Sequence, residues 1–214
     1  YSGDDVLIKA FESGEDIHTR TAREILPLEN GVVTSNDRRT AKIVNFGVIY
    51  GMSAFSLSKE LGITRKRAQE FIDHYFARYP KVRIFFNDLL KNARENGYVE
   101  TFMGRRRYFP DLKSNNSMAR SFAERAAINM PLQGGAADIM KKAMLELRNE
   151  LLEKKLRSKI ILQVHDEIVL SAKNGELNEV VNLTTETLST TCQLKVPLVT
   201  NVKTGLNWYE MNDI

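Results

Sequence analysis

The sequence predicts an α+β protein, a helical subdomain joined to part of an antiparallel sheet. Three observations carry that reading. Most of the 214 residues fall into capped segments with apolar side chains at helical spacing. Two short stretches, around Met103-Gly104-Arg105 and around His165-Asp166-Glu167, show turn residues between apolar runs, the pattern of a β-hairpin. There are only five prolines and no Pro/Gly/Ser-rich linker, so long helices are permitted.

From the N-terminus, residues 4–11 and 16–26 read as short helices. Residues 34–51 open with the capping cluster Thr34-Ser35-Asn36-Asp37, and Ala41, Val44 and Val48 continue it at i, i+3, i+7. Residues 53–61 form another helix, stopped by Gly62, and Thr64 caps one that runs to 78. Pro80 suits a first helical position and Gly97 a C-terminal stop, so 80–96 is helical. Residues 98–102 and 106–109 pair as a hairpin. Residues 117–155 are strongly helical but should be interrupted near Pro131 and Gly134-Gly135. Residues 159–165 and 168–172 are two strands around a tight acidic turn, 176–192 is helical, and 198–204 is a last strand.

Composition narrows the functional class. Hydrophobic residues make up 43% and charged residues 27%, as in ordinary folded domains. No run of 18 apolar residues predicts a membrane span, and the N-terminus lacks the basic and apolar regions of a secretory signal. The expected location is cytoplasmic or nucleoid-associated. One cysteine, Cys192, excludes an internal disulfide, and His18, His74 and His165 are too scattered for a histidine metal cluster. Between Arg38 and Arg107 stand 15 Lys/Arg against 6 Asp/Glu, whereas the remainder holds 16 against 21. A basic block beside an acidic remainder suits a polyanion, although a solvated helical surface has the same composition.

Within that block Arg38, Lys42, Phe46 and Tyr50 recur every four residues. On a helix each such step advances about 6 Å and drifts some 40°, so the four share one broad face. The cations lie toward the N-terminal end, where the helix dipole already favours anions. The face spans about 18 Å, comparable with an extended nucleoside triphosphate. Cations would hold phosphates, Phe46 would pack on sugar or base, and Gly47 and Gly51 would leave room for close approach. Spacing alone leaves the alternative open, in which the aromatics pack in the core and the cations face solvent.

The second stretch is Gln163-Val164-His165-Asp166-Glu167-Ile168-Val169-Leu170. Acidic residues are common turn formers. Asp166-Glu167 is also a suitable site for a hard cation such as Mg²⁺, and His165 beside it suits a phosphate or sugar edge. Two-metal phosphoryl transfer needs acidic groups that bridge ions about 3.5–4 Å apart, and this turn supplies one wall. Asp138 and Asp111 read as an ordinary cap or surface carboxylate.

Taken together, these stretches resemble the family A DNA polymerases, the bacterial DNA polymerase I type. Arg38-Arg39-x-x-Lys42-x-x-Asn45-Phe46-Gly47-x-x-Tyr50-Gly51 resembles the family's fingers helix, and Gln163-Val164-His165-Asp166-Glu167 its palm carboxylate motif. Asp16-Ile17-His18, Gly97-Tyr98-Val99-x-Thr101, Gly104-Arg105-Arg106, Glu124-Arg125-x-x-x-Asn129-x-Pro131-x-Gln133-Gly134 and Asn207-Trp208 follow in family order. The resemblance implies an entry helix over 1–15, a fingers subdomain over 16–115 with its hairpin at 98–110, and the C-terminal part of the palm over 116–214. It implies that His18, Arg38, Lys42, Phe46 and Tyr50 bind the incoming dNTP. Arg105, Arg106, Arg125, Asn129, Gln133 and His165 would contact primer-template DNA, with Gln133 reading minor-groove acceptors shared among base pairs. The implied catalytic set is Asp166, Glu167 and Lys42, with Asp166 the ligand of Mg²⁺ in a two-ion site.

Two departures accompany the resemblance. Gly135 stands where the family usually has Thr or Ser. The family's first catalytic motif, Asp-Tyr-Ser-x-x-Glu, should lie about a dozen residues before Tyr1, with the thumb further upstream. The expectation is therefore a chain inactive by itself, whose partner is an upstream fragment, as in a split or truncated polymerase. A phage-type single-subunit RNA polymerase is a second reading, disfavoured by Glu167 where those enzymes usually carry Ser. A noncatalytic nucleic-acid-binding module is a third.

The resemblance also assigns Phe46 to the position where Phe accompanies discrimination against dideoxynucleotides and Tyr their acceptance. In the complete enzyme Phe46→Tyr should raise dideoxynucleotide incorporation relative to deoxynucleotides. An unchanged ratio in a chain-termination assay would contradict the assignment.

Overall fold

Side-chain oxygens mark where the helices begin. The computed structural model describes residues 1–214, apart from the side chain of Glu29. Helix α1 (Asp5–Glu12) is capped by Asp4, whose carboxylate accepts from the Val6 and Leu7 amides. Helix α2 (Ile17–Ile25) is capped by Asp16, which accepts from the Thr19 amide at 2.7 Å. Helix α3 (Ser35–Ile49) starts in a capping box in which Thr34 and Asp37 each accept from the other's backbone amide. Ser53 caps α4 (Ala54–Leu61) and Thr64 caps α5 (Arg65–Arg78). Helix α6 (Pro80–Asn96) opens on its proline and closes on Gly97 at φ +81°. These elements coincide with the predicted ones to within a residue or two, because caps and stops are local chemistry.

Strands β1 (Tyr98–Glu100) and β2 (Arg106–Tyr108) form the predicted hairpin, with Tyr98 opposite Tyr108. Helix α7 then runs without a break from Ser117 to Glu153. The chain divides into two compact units, Tyr1–Gly134 and Gly135–Ile214, and the division falls inside this helix.

In the first unit one core gathers Ile25, Val44, Val48, Leu57, Phe71, Tyr75, Tyr79, Phe86 and Ile128 from α2 to α7. A second joins Ala93, Val99, Phe109, Leu112, Ala127 and Met130 under the hairpin. The second unit has a smaller core of Leu147, Leu151, Val180 and Leu183. It packs the C-terminal part of α7 and α8 (Leu177–Thr190) with strands β3 (Lys159–Val164) and β4 (Glu167–Ser171). Glu176 fastens the start of this hairpin, accepting from the Arg157 and Ser158 amides and from the Ser158 hydroxyl. Two short strands, β5 (Lys203–Gly205) and β6 (Met211–Asp213), close the chain. The sheets are thus three separate antiparallel pairs, β1-β2, β3-β4 and β5-β6. Among the described residues no helix is long and apolar enough to cross a membrane.

Two expectations fail. The break predicted at Pro131 and Gly134-Gly135 is absent. Proline deletes one helical donor, but Pro131 is fully buried, and the helix continues through it because that packing offsets the missing bond. Gly134 serves close packing rather than termination, since a Cβ there would meet Thr101 Cγ2 at 2.9 Å. The strand predicted over 198–204 is confined to Lys203–Gly205, and Val199 is exposed. Val202 accepts from the Ile214 amide at 3.2 Å, but no neighbouring strand among the described residues pairs with 198–201, and alternation without a partner leaves the backbone irregular.

Gly→Ala inside a helix ordinarily stabilises by roughly 0.5–1 kcal/mol. Gly134→Ala should do the opposite, lowering the unfolding free energy by about 1 kcal/mol in a urea melt. The new methyl would crowd Thr101 and also approach Arg105 Nη2 to 3.0 Å. A stabilised variant would show that the hairpin can withdraw freely.

Candidate anion-binding ridge and acidic turn

Helix α3 is two-faced. Ala41, Val44 and Val48 are buried against the core, while Arg38, Lys42, Phe46 and Tyr50 are exposed on the other side. The ridge read from the four-residue spacing is therefore real. Phe46 and Tyr50 stack with centroids 6.0 Å apart and planes 20° apart. His18, on α2, brings its ring to 5.8 Å from Phe46. The room left by Gly47 goes to the protein itself, because Met52 and Leu57 lie 3.4 and 3.5 Å from where its Cβ would be. Gly51, at φ +67°, likewise admits the Arg125 side chain.

The cationic end carries its own counter-ion. Arg38 donates through Nε and Nη2 to the two carboxylate oxygens of Asp16, at 3.1 and 2.7 Å. That guanidinium, aided by the Thr19 amide, holds the Asp16 carboxyl well below the usual carboxylate range, and the Arg38 value rises in return. Lys42 makes no ion pair among the described residues. Burial lowers the His18 pKa first of all; Asp16 opposes the change while Arg38 and Lys42 add to it. The balance favours the neutral form of His18.

Beneath the ridge lies a polar layer that the periodicity did not reveal. Asn45 is buried between Val44 and Val48 and contacts His18 Nδ1 at 3.0 Å and the Thr21 hydroxyl at 3.2 Å. Thr21 and Tyr79 are also buried, and the Tyr79 hydroxyl donates to Glu24 at 2.7 Å. Burial opposes the Glu24 charge, but bonds from Arg78 and Tyr79 outweigh it and lower its pKa. The available signal was an amide at an apolar position of an otherwise regular helix.

The residues expected to contact nucleic acid in this unit have varied settings. Arg125, Asn129 and Gln133 stand four residues apart on α7, with Arg125 and Gln133 exposed. The side-chain oxygen of Asn129 is buried with no hydrogen-bond partner among the described residues. Arg105 donates to the Gly134 carbonyl at 2.8 Å, which ties the hairpin to α7. Arg106 donates to Glu100 at 2.6 Å and lies 4.5 Å over the Tyr98 ring.

In the second unit, Val164 pairs with Glu167 across a two-residue turn of His165 and Asp166. Such turns need a positive φ at the first corner, and His165 adopts +51° without being glycine. That conformation costs about 1 kcal/mol or more. Asp166 and Glu167 are both exposed and make no ion pair among the described residues. No third His, Cys, Asp or Glu joins them in a metal-binding group among the described residues. Asp138 is buried rather than a surface carboxylate.

A line of cations leading to stacked aromatics, with an imidazole alongside, suits a ligand that has an anionic end and a flat end. The α+β fold bearing it is that of a polymerase-domain fragment. Residues 1–210 match the model of DNA polymerase family A, and the chain belongs to that family. It is 50% identical over 210 residues to DNA polymerase I of Streptococcus pneumoniae, covering 98% of this chain and 24% of that protein. It is 47% identical over 207 residues to DNA polymerase I of Geobacillus stearothermophilus, covering 97% and 24%. The chain thus spans about a quarter of the curated relatives it matches. The solved POL domain of Pol1 from M. smegmatis, in complex with DNA primer-template and dNTP, superposes with a TM-score of 0.88 at 41% identity, covering 92% of this chain and 35% of that one.

The Asp16–Arg38 pair supports a prediction. A carboxylate with a depressed folded pKa adds stability above its unfolded value, near 4, and loses it only as pH falls through the lower folded value. The pair should therefore persist throughout neutral pH. Both partners are largely exposed, so Asp16→Asn, which keeps the cap, should cost no more than about 1 kcal/mol. It should also free Arg38 and tighten tripolyphosphate binding severalfold by calorimetry. Unchanged or weaker binding would show that Asp16 does not compete for Arg38.

Proposed function

We propose that this chain supplies the nucleotide-gripping region and one carboxylate corner of a template-directed DNA polymerase. The reaction is attack of a primer 3′-hydroxyl on the α-phosphate of a dNTP, with transfer of dNMP and release of pyrophosphate. The observation that carries the proposal is the exposed Arg38-Lys42-Phe46-Tyr50 ridge with the His18 ring beside it. The solved neighbour's primer-template DNA and dNTP support the same partners here.

In this reading Arg38, Lys42 and the His18 N–H bind the triphosphate, Phe46 packs on sugar and base, and Tyr50 stacks near the templating base. Lys42 stabilises charge that grows on the leaving pyrophosphate, which makes it catalytic as well as binding. Arg125, Asn129 and Gln133 contact primer and template, and the unpartnered Asn129 oxygen suits a donor from that ligand. Arg105 and Arg106 follow the backbone from the hairpin, and His165 touches the primer terminus. Residues 16–115 act as fingers after an entry helix over 1–15, and 116–214 act as palm.

Asp166 and Glu167 are hard oxygen donors without a competing cation, so their chemistry fits Mg²⁺, although two carboxylates leave a coordination shell incomplete. Asp166 would hold the metal and Glu167 would support it. When bound, Mg²⁺ would lower the pKa of the attacking hydroxyl and offset charge on the leaving oxygens. The remaining ligands would come from substrate, water and an upstream polymerase segment, the further partner of this reading. A cytoplasmic or nucleoid-associated location is consistent with it.

Primer extension tests the proposal. The 214-residue chain alone should extend nothing, and adding a fragment with the upstream palm segment and thumb should restore synthesis. In the assembled enzyme Asp166→Ala should abolish extension, and Lys42→Ala should slow single-nucleotide incorporation by roughly 100-fold. Robust extension by the isolated chain, or full activity of the Asp166→Ala enzyme, would overturn it.

A further inference from the structure

The buried layer under the ridge determines more than the position of α3. An amide has two unlike ends, so each neighbour of Asn45 constrains the other. The Tyr79 hydroxyl commits its proton to Glu24, a carboxylate that also takes ion pairs from Arg20 and Arg78 at 3.2 and 2.7 Å. Tyr79 therefore has no proton for Thr21. The Thr21 hydroxyl donates to Asn45 Oδ1 at 3.2 Å. That leaves the Asn45 Nδ2 amide facing His18 Nδ1 at 3.0 Å. An NH₂ group only donates, so Nδ1 must present a lone pair, and the single proton of a neutral imidazole is then on Nε2.

We propose that Asn45 is a positioning residue that locks His18 as the neutral Nε2–H tautomer, so that the ring offers a donor to the anionic end of a ligand on the ridge. This rests on the reading of His18 as a phosphate contact. A bare Nε2 lone pair would repel a phosphate oxygen. A cationic ring would tie the grip to pH, whereas a neutral donor keeps it constant through the neutral range. Protonating Nδ1 would set N–H against N–H at Asn45. It would also place a charge beside Arg38 and Lys42 of α3, which Asp16 of α2 offsets only in part, in agreement with the depressed pKa.

The competing arrangement turns the amide end for end. Thr21 must then donate to Tyr79 Oη across 3.5 Å, a longer reach than the 3.2 Å to Asn45, and His18 must carry its proton on Nδ1.

The test is a long-range ¹H–¹⁵N correlation spectrum of the imidazoles in the ¹⁵N-labelled 214-residue chain at pH 7.5. His18 should show an unprotonated Nδ1 and a protonated Nε2. Thr21→Ser should preserve that pattern, and Asn45→Ala should replace it with a mixture of the two tautomers. A wild-type ring protonated on Nδ1, or cationic, overturns the proposal. So does an Asn45→Ala ring that stays wholly in the Nε2–H form. The wild-type spectrum needs no substitution, so it remains decisive if a buried variant fails to fold. Titrating tripolyphosphate into the same sample separates the underlying reading. A shift of His18 Nε2 supports the phosphate contact, and its absence overturns that contact while leaving the tautomer assignment standing.

Discussion

The packing of α3 on α2 is the contact on which the rest of the first unit depends. A helix can hold four large side chains toward solvent in a fixed row only if its opposite face is immobilised. Val44 and Val48 supply much of that anchoring by burial. Burial is not directional, however, and would tolerate small rotations of the helix. Asn45 and the Asp16–Arg38 pair remove that freedom, because hydrogen bonds across the two helices have preferred angles as well as distances. The result is a pair of helices whose rotational setting is specified at both ends of the ridge.

Much of the architecture was legible because it rests on local chemistry. Thr34, Ser53 and Thr64 supply the oxygens that start helices, and Gly62 and Gly97 supply the left-handed corners that end them. The two hairpins were legible for the same reason. Pro131 and Gly134 show where local signals mislead. Both ordinarily weaken a helix, and both are overridden by packing, Pro131 by its full burial and Gly134 by its close approach to Thr101. Residues 198–201 show the converse, a strand-like pattern with no strand beside it among the described residues.

The site divides along the same line. Positions on one helix face could be computed from spacing, so Arg38, Lys42, Phe46 and Tyr50 were identifiable as a group, and the family pattern added His18. The partners that condition those residues were not identifiable, because each comes from another element. Asp16 neutralises Arg38 from α2, and the Thr21–Asn45 contact reaches His18 through the interior. The acidic turn was legible as a turn, but not the positive φ of His165, since histidine is not the residue that such a corner selects.

The β3-β4 pair has two outer edges, and neither meets another strand among the described residues. Ile161 and Leu162 are exposed on β3, beside backbone donors and acceptors that point outward. An apolar ribbon with open edges is a template for further strands of any origin. That ribbon is therefore a place where copies of this polypeptide can associate at high concentration, and a charge placed at Ile161 would oppose it.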